Sequence, residues 1–203
     1  MADRRIEVET ETGVEKKTLE FGVSGLLMHS VLVLYDRTDH ALWSQLLGEA
    51  ISGPHAGVRL RTLPVHISTF EEFAQSHPDG EVVDITDTGH NFPYRQPMYE
   101  AYRSDPDSLM FKTRAGTQLP PKTPGLGIRA GEEAIFVPAS IVNDRLLDVK
   151  TTLGIVSIDG TAGGLKVTRA PDDVLVVHTF YFGWSSYYPQ TRIHESSEDS
   201  SND

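Results

Sequence analysis

The feature that most constrains this sequence is its punctuation: glycine and proline recur between short apolar stretches, so that no segment keeps a helical period for long. With 17 Gly and 12 Pro among 203 residues, the chain must reverse often, and short strands joined by turns satisfy that requirement better than long helices. No cysteine is present, so no disulfide, thiolate metal site or thiol nucleophile can supplement packing. A chain of this length closes one substantial core but is short for two ordinary domains. The expected fold is therefore α+β and strand-rich, a mostly antiparallel sheet or barrel-like core with one or two short helices. A doubly wound parallel fold would need strands alternating with long helices, which the pattern lacks.

Along the chain, Ile6 and Val8 alternate with Glu7 and Glu9, and the rhythm returns at Leu19 and Phe21, which predicts a hairpin turning near Gly13. Residues 26–35 are almost continuously apolar and read as one central strand, closed by the turn Asp36-Arg37-Thr38-Asp39, with 41–46 as the returning partner. A further short strand pair is expected at 50–51 and 58–63, around the Gly53 to Gly57 turn. Thr69-Phe70-Glu71-Glu72-Phe73 carries a helix-capping pattern, with Ser68 and Glu71 offering the same box one residue earlier, and the helix should stop before Pro78. Residues 82–85 read as another strand. From 88 to 124, prolines interleave with tyrosines in a long loop region holding one helical turn near 98–103. Strand rhythm then resumes at 134–137, 153–158, 165–168 and 174–182, with a short helix expected at 139–147. Residues 1–194 are taken as one globular domain and 195–203, a Ser, Asp and Glu run, as a disordered acidic tail.

With 29 acidic against 18 basic side chains, the net charge of -11 repels phosphate backbones and anionic lipid, so neither nucleic acid nor a membrane is expected as a partner. No apolar run approaches the ~20 residues of a spanning helix, and the first residues lack a signal-peptide core; a cytoplasmic location is the expectation.

Four residues stand out as a candidate ligand site. Asp36 and Arg37 on the turn, with Trp43 and Gln45 on the return strand, place a carboxylate, a guanidinium, an indole and an amide within reach of one pocket mouth. The competing structural role is that Asp36 caps the turn, Arg37 pairs with an acid and Trp43 fills the core. Eight histidines are present, yet none stands in a metal-binding spacing. No metal site is assigned; His29, His66 and His178, on expected strands, would need to converge with Glu49 or Asp36 in space to hold one. The aromatic set from Phe180 to Tyr188 offers a stacking surface for a planar ligand, but its density within one strand favours core packing. The glycine clusters near Gly125 and Gly160 complete no phosphate loop, and Ser24 lacks the spacing of a nucleophile elbow.

Phe21-Gly22-Val23-Ser24-Gly25-Leu26-Leu27, Leu34-Tyr35-Asp36-Arg37, Leu42-Trp43-Ser44-Gln45, Gly48-Glu49-Ala50, Gly53-Pro54 and Gly57 together resemble the prokaryotic family known as domain of unknown function 3179. Later landmarks extend the likeness: the helix at 69–73 leading to His77-Pro78-Asp79, Leu119-Pro120-Pro121-Lys122, and Tyr181-Phe182-Gly183-Trp184 before Tyr188-Pro189-Gln190-Thr191. Typical members carry an upstream Cys-Pro-Leu-Cys segment that this sequence does not contain, and the block at 126–143 resembles one that precedes that motif in longer members, which implies an internal duplication with a break near 120–126. The resemblance implies no activity, cofactor or substrate. Two functional readings stay open: a binding module for a small polar molecule or a partner protein, and a metal-assisted enzyme with histidine and carboxylate ligands from separate strands.

Overall fold

The computed structural model describes residues 5–10, 13–63, 65–82, 84, 89, 99–142, 145–161 and 164–195. The chain opens with β1 (Arg5–Thr10) and β2 (Gly13–Thr18), an antiparallel pair in which Thr10 faces Gly13, as the alternation around Gly13 predicts. A four-stranded antiparallel meander follows: β3 (Phe21–Met28), β4 (Val31–Asp36), β5 (Leu42–Ser44) and β6 (Glu49–Ser52), in that spatial order. Residues 26–35 are thus not one central strand. His29 and Ser30 take left-handed backbone angles (φ 51° and 66°) and form the two-residue hairpin turn between β3 and β4. The reason is that this polar pair interrupts the apolar run, and pairing Met28 with Val31 lets each half support the other. Only β4 is central. β3 is an edge strand with a bulge between Val23 and Leu27, where Gly25 has φ 75° and Ser24 Oγ accepts the Leu26 N–H at 3.0 Å. Residues 58–63 form no full strand, only isolated bridge positions at Arg59 and Thr62; Arg59 pairs with Glu49, and the Ala50 N–H donates to the Val58 carbonyl at 3.0 Å.

The capping pattern at Thr69 produces α1 (Phe70–Ser76), with Thr69 Oγ1 accepting the Glu72 N–H at 3.2 Å and His77 closing the helix ahead of Pro78. Of the strand expected at 82–85, Val83 and Ile85 lie outside the described residues, and Val82 is exposed and extended into no sheet. Residues 88 and 90–98 of the Pro- and Tyr-rich loop also lie outside them, as does the acidic tail beyond 195. The helical turn expected near 98–103 appears as α2 (Glu100–Ser104), and Lys122 reaches back beneath it, its Nζ over the Tyr102 ring at 3.5 Å and donating to the Asp105 carbonyl at 2.6 Å.

The second half builds two further sheets. β7 (Pro124–Ala130), β8 (Glu133–Pro138), β12 (Val174–Phe180) and β13 (Arg192–Ile193) lie in the order β12-β7-β8-β13, and β13 runs parallel to β8 while the other pairings are antiparallel. β9 (Leu146–Thr151), β10 (Gly154–Thr161) and β11 (Gly164–Arg169) form an antiparallel three-stranded sheet. The helix expected at 139–147 shrinks to a single 3-10 turn, Ala139–Ile141, because Leu146 and Leu147 are drawn into β9 opposite β10. Alternate residues of β7 and β8, among them Ile128, Ile135 and Val137, pack with Val149, Val156 and Ile158 into the largest core. Among the described residues the strands do not close into a barrel.

The expected strand 174–182 ends at Phe180, and Tyr181 and Phe182 instead begin α3 (Tyr181–Tyr187). α3 ties the two halves together. Its Trp184 lies over Gly127 of β7, so close that a Cβ there would strike the indole ring, and Trp184 Nε1 donates to Thr191 Oγ1 at 2.8 Å. On the other side Tyr187 Oη donates to the Met28 carbonyl at 3.1 Å, and Tyr188 Oη to the Leu46 carbonyl at 3.4 Å. Phe136, Tyr181 and Trp184 are buried as a compact aromatic core, whereas Phe180 is exposed and stacks on Phe182.

Candidate functional site

The turn between β4 and β5 is organised by a buried carboxylate. Asp36 Oδ1 accepts the backbone N–H groups of Thr38 (3.1 Å) and Asp39 (2.6 Å), and Oδ2 accepts the Ala41 N–H (3.1 Å) and the Trp43 Nε1–H (3.1 Å). Asp36 is 0% exposed. Burial by itself raises its pKa, but the bonds from Asp39, Trp43 and Thr38 outweigh that and hold the carboxyl below its ordinary value. With its oxygens engaged this way, Asp36 orients Trp43 rather than facing a ligand. Arg37 points elsewhere: its Nε lies 3.1 Å from Glu20 Oε1, and Nη1 donates to Tyr35 Oη at 3.3 Å, on an exposed surface. Of the four candidate residues, the structure therefore joins Asp36 to Trp43 and turns Arg37 away from both.

A second cluster stands behind the turn and was not visible in the spacing. Asp39 Oδ2 accepts from Lys17 Nζ at 2.5 Å and faces His55 Nε2 at 2.8 Å, and these two bonds, Lys17 first, lower its pKa. The trio clamps the β1–β2 hairpin to the first sheet. His55 Nδ1 is buried without a hydrogen-bond partner, the one such side-chain atom among the described residues.

Trp43 and Gln45 meet instead at a cleft of about 420 Å³ between the first sheet and β12. Its walls are mostly apolar, with Phe21, Leu34 and Leu60 facing Leu175 and Val177, and none of its lining residues is Asp, Glu, Lys or Arg. The polar side chains on it are Ser44, Gln45, Thr62 and His178. Each position has a local cause. Gln45 follows β5 directly, Thr62 and Val65 belong to the extended segment after the Gly53–Gly57 turn, and His178 is the one ionisable residue in the apolar strand β12. His178 Nε2 lies 3.0 Å from the Val65 carbonyl, which can only accept, so Nε2 carries the proton and Nδ1 is left as a lone-pair acceptor. Burial lowers the His178 pKa, and the bond to Val65 opposes that in part, so the ring is neutral at neutral pH. A second cleft of about 380 Å³ shares Thr62, Val65, Val176 and His178 with the first and opens toward Arg169 and Asp172.

The metal candidates do not converge. His29 packs edge-on to the Tyr187 ring at 5.1 Å, His66 Nε2 lies 3.6 Å from Glu72 Oε1, His178 binds a backbone carbonyl, and Glu49 pairs with Arg59 at 3.3 Å. Among the described residues no group of three His, Asp or Glu side chains is placed to ligate one ion.

The model of the family described as a protein of unknown function, DUF3179, matches residues 3–158. This chain belongs to that family. No curated protein and no solved structure matches it. The DUF3179 match ends within β10, while β11, β12, α3 and β13 follow it in the chain. Those later elements complete the candidate site: β12 pairs with β7 and supplies one wall of the cleft, including His178. No helix among the described residues is long and apolar enough to cross a membrane.

The sequence singles out His178 as a candidate metal ligand on an expected strand, a role the geometry does not support, and not as part of a ligand cleft. The signal that marks it is its place in Val174-Leu175-Val176-Val177-His178, where an ionisable ring ends a run of aliphatic residues. Thr62 and Val65 carried no signal, since nothing local shows which strand a loop residue will face.

Proposed function

We propose that this protein is a non-catalytic binding module that takes a small molecule in the cleft between the first sheet and β12. The observation that carries the reading is the cleft itself: its volume of about 420 Å³ falls within the range of ligand sites, and its apolar walls hold a few polar groups at one side. In this reading Trp43 and Gln45 belong to the site directly. Asp36 contributes by fixing the indole, and Arg37 stands outside the cleft. The apolar lining shifts the expected ligand from a strongly polar molecule toward one with a substantial apolar body. The scatter of His29, His66, His178 and Glu49 gives the metal-assisted alternative no comparable support.

Isothermal titration with 2-naphthol, whose fused rings fit such a volume, tests this. Saturable binding of one molecule per chain is expected, lost in Thr62→Trp, where the indole fills the shared wall, while thermal unfolding of that variant stays cooperative. No saturable heat in the parent protein, or undiminished binding in Thr62→Trp, would refute the assignment.

A further inference from the structure

Most polar side chains of the cleft already have a partner. The Trp43 Nε1–H is taken by Asp36 Oδ2. Ser44 Oγ donates to Tyr187 Oη at 3.4 Å and accepts the Leu47 N–H at 3.3 Å. The exposed Gln45 amide donates one of its two Nε2 hydrogens to the Leu32 carbonyl at 3.5 Å, which leaves the second N–H and Oε1, and the His178 Nε2–H is held by the Val65 carbonyl, which leaves Nδ1 as an acceptor. The Thr62 hydroxyl can turn to either role. The one cleft side chain whose remaining atom can only accept is thus His178, while Gln45 and Thr62 can serve in either role. No cation lines the walls to receive a carboxylate or phosphate, and no unengaged carboxylate lines them to receive an ammonium group, so burying either charge there would go uncompensated.

We infer that the cleft selects uncharged ligands that donate a hydrogen bond (alcohols, phenols, N–H heteroaromatics or primary and secondary amides on an apolar body), with His178 Nδ1 as the accepting atom. This rests on the binding role proposed above and narrows it to a ligand class. His178 is then the specificity-determining residue, and the aliphatic and aromatic walls supply affinity without discrimination.

Three probes of nearly equal shape separate the terms: naphthalene, 2-naphthol and 2-naphthoate, titrated calorimetrically near neutral pH. 2-Naphthol should bind about threefold to tenfold tighter than naphthalene, the worth of one net hydrogen bond. 2-Naphthoate should bind about tenfold or more weaker than 2-naphthol, because its charge is desolvated against lone pairs. His178→Phe and His178→Leu both remove Nδ1, so each should reduce the ratio of 2-naphthol to naphthalene affinity, a ratio that does not depend on how tightly either variant binds naphthalene itself. Tighter binding of 2-naphthoate than of 2-naphthol overturns the inference, as does a 2-naphthol preference intact in both variants, and either result leaves the binding role standing. Failure of all three probes to bind refutes the binding role, and the inference with it.

Discussion

Asp36→Ala is the perturbation with the largest consequence that the geometry predicts. The substitution leaves the Ala41 N–H and the Trp43 Nε1–H without an acceptor in a region where both residues are within 1% of complete burial, and it frees the Thr38 and Asp39 amides nearer to solvent. Each buried donor left unsatisfied costs about 1–3 kcal/mol, so the two together predict a loss of roughly 4 kcal/mol. That is a large share of the ~5–15 kcal/mol that holds a typical domain folded. Asp36→Asn is a sharper test of the same argument. Its amide keeps one acceptor oxygen, which can serve Ala41 and Trp43 only by turning the NH2 group toward the Thr38 and Asp39 amides, so about half the loss, roughly 2 kcal/mol, should remain. Urea unfolding followed by far-ultraviolet circular dichroism gives these differences provided the slope is unchanged. A cycle with Trp43→Phe, which removes the indole N–H, should show a coupling of about 1–2 kcal/mol with Asp36→Ala. The reasoning fails if Asp36→Ala costs under ~1 kcal/mol, or if the coupling to Trp43→Phe is zero within error.

Gly127→Ala should destabilise the protein by about 2–3 kcal/mol, because the new methyl group meets the Trp184 ring wedged between α3 and β7; a thermal midpoint equal to that of the parent would show that α3 does not seat there. Acid should weaken the fold in two stages. Burial holds the His178 and His194 pKa values below the ordinary 6.5, His194 with added help from Arg192, so the unfolded chain binds more protons once the pH falls below that value. Stability is then full above about pH 6.5 and declines as the pH falls through the folded-state pKa values. Asp36 and Asp39, held below 3.8, add a second decline that begins only as the pH drops under about 4. Urea midpoints measured from neutral to acid pH should trace both stages, with the upper one reduced in His178→Gln; a flat profile down to about pH 5 contradicts the histidine assignment.

Local chemistry was legible in the sequence because it acts over a few residues. The Gly13 hairpin, the capped helix at Thr69 and the turn at Asp36 all depend on side-chain and backbone groups close together in the chain, and all three form as their residues predict. Errors arose where a tertiary partner decided the outcome. Residues 26–35 read as one strand until His29 and Ser30 turned it, Leu146 was drawn from an expected helix into β9, and Tyr181 and Phe182 left an expected strand for α3. The candidate site divides in the same way. Asp36, Arg37, Trp43 and Gln45 were identifiable as chemically capable, but their spacing left open which of two nearby groups the carboxylate would bond. Burial of Trp43 settled it, since an indole N–H removed from water requires an acceptor and an exposed guanidinium does not. The cleft lay furthest from view: His178 and Val65 are 113 residues apart, and only the docking of β12 beside the first sheet brings them within a hydrogen bond. From residue types and spacing alone come the strand-rich class, the turns and the supply of polar groups. Which of those groups face a shared cavity is a property of long-range packing, because strand alternation assigns a side chain to a face without saying what that face will meet.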